Sequence, residues 1–329
     1  MRIALDAMGG DHAPKEIVAG AIEAAPLIKG GIVLVGDPSQ IEDCAPGPMP
    51  TNIDIHAASE VVGMDEKPME AVRKKKNSSL AVAVQLVKDG QAAALVSAGN
   101  TGAVTAATLI SWRQISGVHR PAIASPFPNR HGQFLLLDAG ASPDINPVQL
   151  LEFALMGRAY ALKVMGKEDA KVHLLNIGEE PGKGNAFAKQ AHELMAGHPW
   201  FAGNIEGKEM FHEPCDVVVC DAFVGNIVLK TAEGVGEFIM KEIRDAVPKG
   251  IGRLAFLPLM KALAPMRKRV DYAEYGGSPL LGLNGLCIIC HGRSNAKAIK
   301  NAVLTAAKAV ENELVPAICE AIGHERKLN

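Results

Sequence analysis

Asp6, Asp11 and His12 gather around the Gly9-Gly10 doublet, and two carboxyls beside an imidazole can move protons or position a polar substrate. The same residues can equally cap a helix whose first turn carries Pro14. The run Ser97-Ala98-Gly99-Asn100-Thr101-Gly102 has the makings of an anion site. Its glycines admit close backbone approach, Asn100 or Thr101 can cap, and a following helix offers free N–H groups at its positive end. A plain strand-to-helix turn is the alternative. In Gly178-Glu179-Glu180-Pro181-Gly182-Lys183-Gly184, a lysine between glycines can stand beside a phosphate or a developing oxyanion. This is no nucleotide P-loop, because Gly178 and Gly182 are too close and Gly184 takes the place of the magnesium-binding hydroxyl. A turn with a solvated lysine accounts for it as well. Asp138, Asp221 and His291 end apolar runs, and Asn226 follows the second of these. A side-chain amide such as that of Asn226 can hydrogen-bond a carbonyl oxygen as it gains charge, or cap a helix turn.

Other chemistries lack their residues. Cys287-Ile288-Ile289-Cys290-His291 has haem-attachment spacing, but it reads as a buried strand whose residues three apart face opposite sides. There is no G-x-G-x-x-G after the first strand, no G-x-S-x-G and no H-E-x-x-H, so chemistry without a metal or cofactor is expected.

These residues need a scaffold that presents loops together. Short β-type runs at 3–6, 31–36, 53–57, 92–97, 121–125, 134–138, 172–176, 217–221 and 286–291 alternate with helical stretches at 14–25, 80–89, 101–112, 147–165, 186–196, 222–246 and 296–322. The alternation predicts repeated βαβ units and a mostly parallel sheet, with six small-residue loops converging outside the carboxyl ends of strands.

The chain has 329 residues, 34 basic and 36 acidic, and a formal charge of −2, which argues against nucleic acid as a main partner. Asp6 so soon after Arg2 leaves no room for a secretory core, and a cytosolic setting is expected. Six cysteines, at 44, 215, 220, 287, 290 and 319, are too few for a disulfide scaffold in such a chain and read as reduced thiols. Residues 90–112 carry no charge, yet the polar turn at 97–102 divides them and rules out a membrane span. Two basic clusters, Arg73-Lys74-Lys75-Lys76 and Arg267-Lys268-Arg269, read as solvated surface or as docking charge. The apolar stretch 251–263, which holds Leu254, Phe256, Leu257 and Leu259, fits either shallow membrane contact or a dimer or core helix.

The motifs M-R-I-A-L-D-A-M-G-G-D-H-A-P, D-E-K-P-M-E-A-V-R-K-K-K-N-S-S, S-A-G-N-T-G-A, N-I-G-E-E-P-G-K-G-N, C-D-V-V-V-C-D-A-F-V-G-N-I-V-L-K-T and Y-G-G-S-P-L-L-G-L-N-G together resemble the bacterial phosphate acyltransferase family (PlsX). The resemblance implies a Rossmann-like three-layer α/β/α sandwich related to phosphotransacetylases. It implies one domain over residues 1–329, with 223–272 including a protruding helical arm for dimer and membrane contact. The implied reaction moves a long-chain acyl group from acyl carrier protein to inorganic phosphate. The product feeds phospholipid synthesis through a glycerol-phosphate acyltransferase that consumes acyl phosphate. A homodimer attached peripherally to the cytoplasmic face of the membrane is implied as well. On this reading the 97–102 loop binds phosphate, Lys183 neutralises it, Asn226 stabilises the thioester oxygen, and the 73–76 cluster receives the carrier protein. Ser142, Arg293 and Ala222 depart from the family pattern, which has Asn, a small residue and Gly at these places. The competing readings are an acyl-coenzyme A phosphotransacetylase, a nicotinamide-dependent dehydrogenase and a non-catalytic membrane scaffold.

Overall fold

Apolar side chains alternate between two buried faces along the central strands, which is why these strands read as unbroken hydrophobic runs. In β1 (Arg2–Asp6), Ile3 and Leu5 enter one core and Ala4 the other; in β2 (Gly31–Gly36), Ile32 and Leu34 oppose Val33 and Val35; in β4 (Ala94–Ser97), Ala94 and Val96 oppose Leu95. The remaining strands are β3 (Ile53–Ala57), β5 (Ala122–Asn129), β6 (Gly132–Leu137), β7 (Val172–Asn176), β8 (Phe201–Glu206), β9 (Val217–Val219), β10 (Ser278–Leu281) and β11 (Leu286–Ile289). The structure, a computed structural model, describes residues 1–246, 261–262 and 272–328.

Helices sandwich the sheet. On the Ile3 and Leu5 face lie α1 (Lys15–Ala24), α2 (Pro38–Asp43), α6 (Pro147–Tyr160) and α7 (Ala186–Met195), with α9 (Ala296–Glu311) and α10 (Leu314–Leu328). On the other face lie α3 (Pro68–Lys74), α4 (Ser79–Lys88) and α5 (Thr101–Trp112), joined by α8 (Ala222–Asp245) through Val228, Leu229 and Ala232. Among the described residues no helix is long and apolar enough to cross a membrane.

The sheet has 11 strands in the order β3-β2-β1-β4-β11-β10-β5-β6-β9-β7-β8. Pairing is parallel from β3 to β11 and again from β6 to β8, with antiparallel contacts at β11–β10, β10–β5 and β5–β6. Three antiparallel steps reverse direction three times, so the two parallel blocks point opposite ways. Their stagger decides where the loops meet. Leu137 pairs with Ala124, Ile123 with Leu280, Leu280 with Cys287 and Cys287 with Leu95, so the carboxyl end of β6 lies level with that of β4. The two oppositely directed blocks thus end at the same level of the sheet.

Several elements differ from the sequence expectation. The strand at 121–125 runs on to Asn129 as one arm of a hairpin; beyond Ile123, among the described residues, nothing pairs on its β10 side, which accommodates Pro126 and Pro128. The short Ser278–Leu281 strand, with its proline, and the Gly-containing edge strand Phe201–Glu206 were not expected at all. The single helix expected at 296–322 is two, because Glu313 adopts φ +54° between them.

Candidate active site

The Gly9-Gly10 doublet lets the loop after β1 nest between those after β4 and β11. A Cβ on Gly9 would lie 2.5 Å from Asp6 Oδ2 and 2.9 Å from the Gly99 nitrogen; Gly10 has φ +110°. The Asp11 N–H donates to the Gly292 carbonyl at 2.8 Å, tying the first loop to the His291 loop. Among the described residues no side chain caps α1, so Asp11 and His12 are not engaged as its caps, and both are exposed at the surface.

Beneath this junction Asp6 is buried and accepts the Ser97 hydroxyl at 2.7 Å, while Ser97 Oγ accepts the Gly99 N–H at 3.1 Å. Ser97, Asp6 and the Gly99 amide are therefore committed to one another and shape the loop from below. Burial pushes the Asp6 carboxyl above its ordinary range, against the Ser79 and Ser97 hydroxyls, and among the described residues Oδ1 has no hydrogen-bond partner. A carboxyl raised in the folded state binds more protons there than in the unfolded chain. Its stabilising contribution is full below the ordinary value near 3.8 and is lost as pH rises through the elevated one. Thermal unfolding of Asp6→Asn, which keeps an acceptor for Ser97, should therefore gain on the wild type as pH rises from about 5 to 8. A gap independent of pH in that range would show that Asp6 is not raised.

Asn100 caps α5, its Oδ1 accepting the Ala103 N–H at 3.0 Å, and its Nδ2 donates to the carbonyls of Met64 at 2.8 Å and Glu66 at 3.1 Å. One side chain thus fixes the start of the helix and the 64–66 segment over it. The Asn100, Thr101 and Gly102 N–H groups head α5 at its positive end.

In the opposite block Asp138 is fully buried and accepts four backbone N–H groups: Ile123 at 2.9 Å, Gly140 at 3.0 Å, Ala141 at 3.0 Å and Ser142 at 2.8 Å. Burial pushes this carboxyl up while those amides pull it down. Its oxygens organise the 138–142 loop. The Ser142 hydroxyl donates to the Pro121 carbonyl at 2.9 Å, which gives this serine a structural use.

Asp221 caps α8 through the Val224 N–H at 2.9 Å. Asn226 is thereby free of capping; it is exposed beside Gly140, and among the described residues its amide makes no hydrogen bond. One turn apart along the helix follow Lys230, Glu233 and Glu237, none of which the motif reading singled out. Glu237 accepts Arg293 at 3.4 Å, and the charges of Glu233, Lys230, Arg293 and Asp11 all act on His291. His291 accepts the Arg293 N–H on Nδ1 at 3.1 Å, and burial holds its pKa below the ordinary value. Helical periodicity from Asp221 onward was the signal that could have found this stripe.

Lys183 pairs with Glu180 at 3.9 Å, and its carbonyl accepts the Asn176 amide at 3.2 Å, so its partners belong to its own loop, after β7. In the first basic cluster Lys75 turns inward to Glu66 and donates to the Val61 carbonyl at 2.7 Å, leaving Arg73, Lys74 and Lys76 as its outward charges. Leu254, Phe256, Leu257, Leu259 and Arg267-Lys268-Arg269 lie outside the described residues. Cys287 and Cys290 enter opposite cores, and burial pushes the Cys290 thiol up to about 12 and the Cys215 thiol up to about 11, which leaves both unreactive.

A family model described as fatty acid synthesis protein matches residues 1–316. The phosphate acyltransferase of Heliobacterium modesticaldum is 52% identical over 327 residues, 98% of either chain. That of Desulfitobacterium hafniense is 48% identical over 325 residues, 97% of this chain and 96% of the relative. The chain belongs to the phosphate acyltransferase family. It is thus an acyltransferase by family. Its fold is shared by a phosphotransacetylase from Streptococcus pyogenes, with TM-score 0.63 and 18% identity over 94% of both chains. The EutD phosphotransacetylase from Staphylococcus aureus is similar, with TM-score 0.62 and 15% identity over 95% of this chain and 94% of that one. These likenesses establish the three-layer α/β architecture.

Proposed function

We propose that the protein transfers a long-chain acyl group from the thioester of acyl carrier protein to inorganic phosphate, giving acyl phosphate and the free carrier thiol. The observation that carries this reading is the uncommitted Asn226 amide on a helix whose later turns reach the loop after β11 through Glu237 and Arg293 at 3.4 Å. Phosphate, whose dianion is well populated near neutral pH, serves as nucleophile. The Asn100, Thr101 and Gly102 amides hold it, Gly99 and Ser97 support their loop, and Lys183, loosely paired with Glu180, balances its charge. A phosphate oxygen bonds to the thioester carbon, Asn226 donates to the carbonyl oxygen in the tetrahedral state, and the C–S bond breaks with its electron pair leaving on sulfur. The thiol's intrinsic pKa of about 8.5 makes it an adequate leaving group without strong acid catalysis. Asp11, His12 and His291 border the substrate, and Asp6 and Asp138 position its loops.

The test is mass spectrometry of the protein with palmitoyl-acyl carrier protein, with and without phosphate, using hydroxylamine to trap acyl phosphate. Phosphate-dependent hydroxamate and free carrier protein are expected; turnover with acyl-coenzyme A alone would move the reading to the phosphotransacetylase type.

Partners follow from surfaces. Arg73, Lys74 and Lys76 offer docking charge to the acidic carrier protein. Reversing these three, but not Lys75, should slow association most at low ionic strength, and a salt profile equal to wild type would remove the role. The outward apolar face of α8, with Val224, Ile227, Val235 and Phe238 exposed, fits a second copy of the chain. Residues 251–263 fit reversible attachment to the cytoplasmic face of the membrane, where the product enters phospholipid synthesis through a glycerol-phosphate acyltransferase.

A further inference from the structure

Three faces divide α8. Ala222 and Gly225 are buried and Leu229 and Ala232 pack inward, while Val224, Ile227, Val235 and Phe238 are exposed and apolar. Between these runs a third stripe, Asn226, Lys230, Glu233 and Glu237, spaced i, i+4, i+7 and i+11 and so kept on one side of a 3.6-residue helix. This stripe is turned toward the first block. Glu237 bonds Arg293 at 3.4 Å, and the Arg293 loop is tied to the Asp11 loop through Gly292. Lys230 is also close enough to His291 for its charge to act on the imidazole.

We propose that Lys230 is a second cation of the phosphate subsite, one turn beyond Asn226 and on the same side of α8, exchanging its Glu233 partner for the incoming dianion. The inference rests on the reaction assigned above and adds a residue to it. Lys230 bonds Glu233 at 2.8 Å, with 56% of the lysine side chain exposed. An exposed pair of this kind contributes little, so the ammonium exchanges it readily for a doubly charged ligand. Arg293, another cation at this junction, pairs with Glu237 and so ties the loop after β11 to α8, whereas Lys183 finds its partner within the loop after β7. Lys230 therefore brings positive charge to the wall that carries the oxyanion donor. The i, i+3 pair with Glu233 holds the ammonium beside this stripe before substrate arrives.

The test compares wild type, Lys230→Gln and Lys230→Arg in the hydroxylamine-trapped assay with acyl-acyl carrier protein, varying each substrate, with thermal unfolding as a check on folding. Lys230→Gln is expected to raise the KM for phosphate by at least about tenfold, the loss of a charge-assisted hydrogen bond, with the KM for the acyl donor unchanged. Lys230→Arg should recover most of the phosphate affinity. A phosphate KM within twofold of wild type in Lys230→Gln, or a rise confined to the acyl donor, overturns the inference while leaving the reaction standing. A wild type that makes no phosphate-dependent hydroxamate overturns the reaction itself.

Discussion

Asn226→Ala should lower turnover by about 100- to 1000-fold while leaving the fold intact. The size follows from what the amide would do. A donor aimed at an oxygen that gains charge only in the tetrahedral state stabilises that state selectively, so kcat and kcat/KM fall together. The fold is spared because the side chain is exposed and, among the described residues, spends no hydrogen bond on the protein; the cap of α8 is Asp221. Asn226→Asp tests the same point with nearly the same shape. A carboxylate would meet the developing oxyanion with like charge, so this variant should be no better than alanine. Steady-state kinetics beside melting curves decide the matter. Less than threefold loss in both variants would leave Asn226 a surface residue and move the oxyanion donor elsewhere.

The residues that carry this argument were legible in the sequence because each strand-end motif is contiguous. Ser97 through Gly102 and Asp221 through Asn226 each pair a strand end with a helix start, and the structure builds both as capped helices. Sequence reading ran out where the relation is between motifs. The expectation of one mostly parallel sheet with converging loops gave no hint that β10 and β5 reverse the direction between two blocks. Convergence then depends on register, through the chain of pairs from Leu137 to Leu95, which no local pattern encodes. The polar stripe beyond Asn226 was hidden for another reason: Lys230, Glu233 and Glu237 look like ordinary solvated charges until Arg293 and His291 are placed opposite them. Asp138 illustrates the reverse case. As a strand-end aspartate it reads as a ligand for substrate, yet its oxygens are met by four amides of its own neighbourhood.

That anchoring makes Gly225 the position where one methyl group should do most harm. In a helix interior, alanine is favoured over glycine by about 0.8–1.0 kcal/mol, so propensity alone predicts that Gly225→Ala is stabilising. Sterics oppose it. A Cβ at 225 would penetrate the Asp138 carbonyl oxygen, reach 2.9 Å from the carbonyl carbon and 3.1 Å from Cys220 Sγ. The obstacle is backbone, and the Asp138 carboxylate fastens that backbone to Ile123, Gly140, Ala141 and Ser142. The loop therefore holds and the helix must yield, at a typical overpacking cost of about 1–3 kcal/mol, which exceeds the propensity gain. When the first turn of α8 moves away, Asn226 moves with it, and a displacement of about 1 Å is enough to lose roughly 100-fold in rate. Gly225→Ala should thus melt several degrees lower and, where folded, turn over about as poorly as Asn226→Ala. Gly236→Ala is the control, since among the described residues a Cβ there meets nothing within 4 Å. It should gain helix stability and keep full activity. Equal behaviour of the two alanine variants, in melting temperature and in rate, would mean that the contact between α8 and the 138–142 loop does not set the position of Asn226.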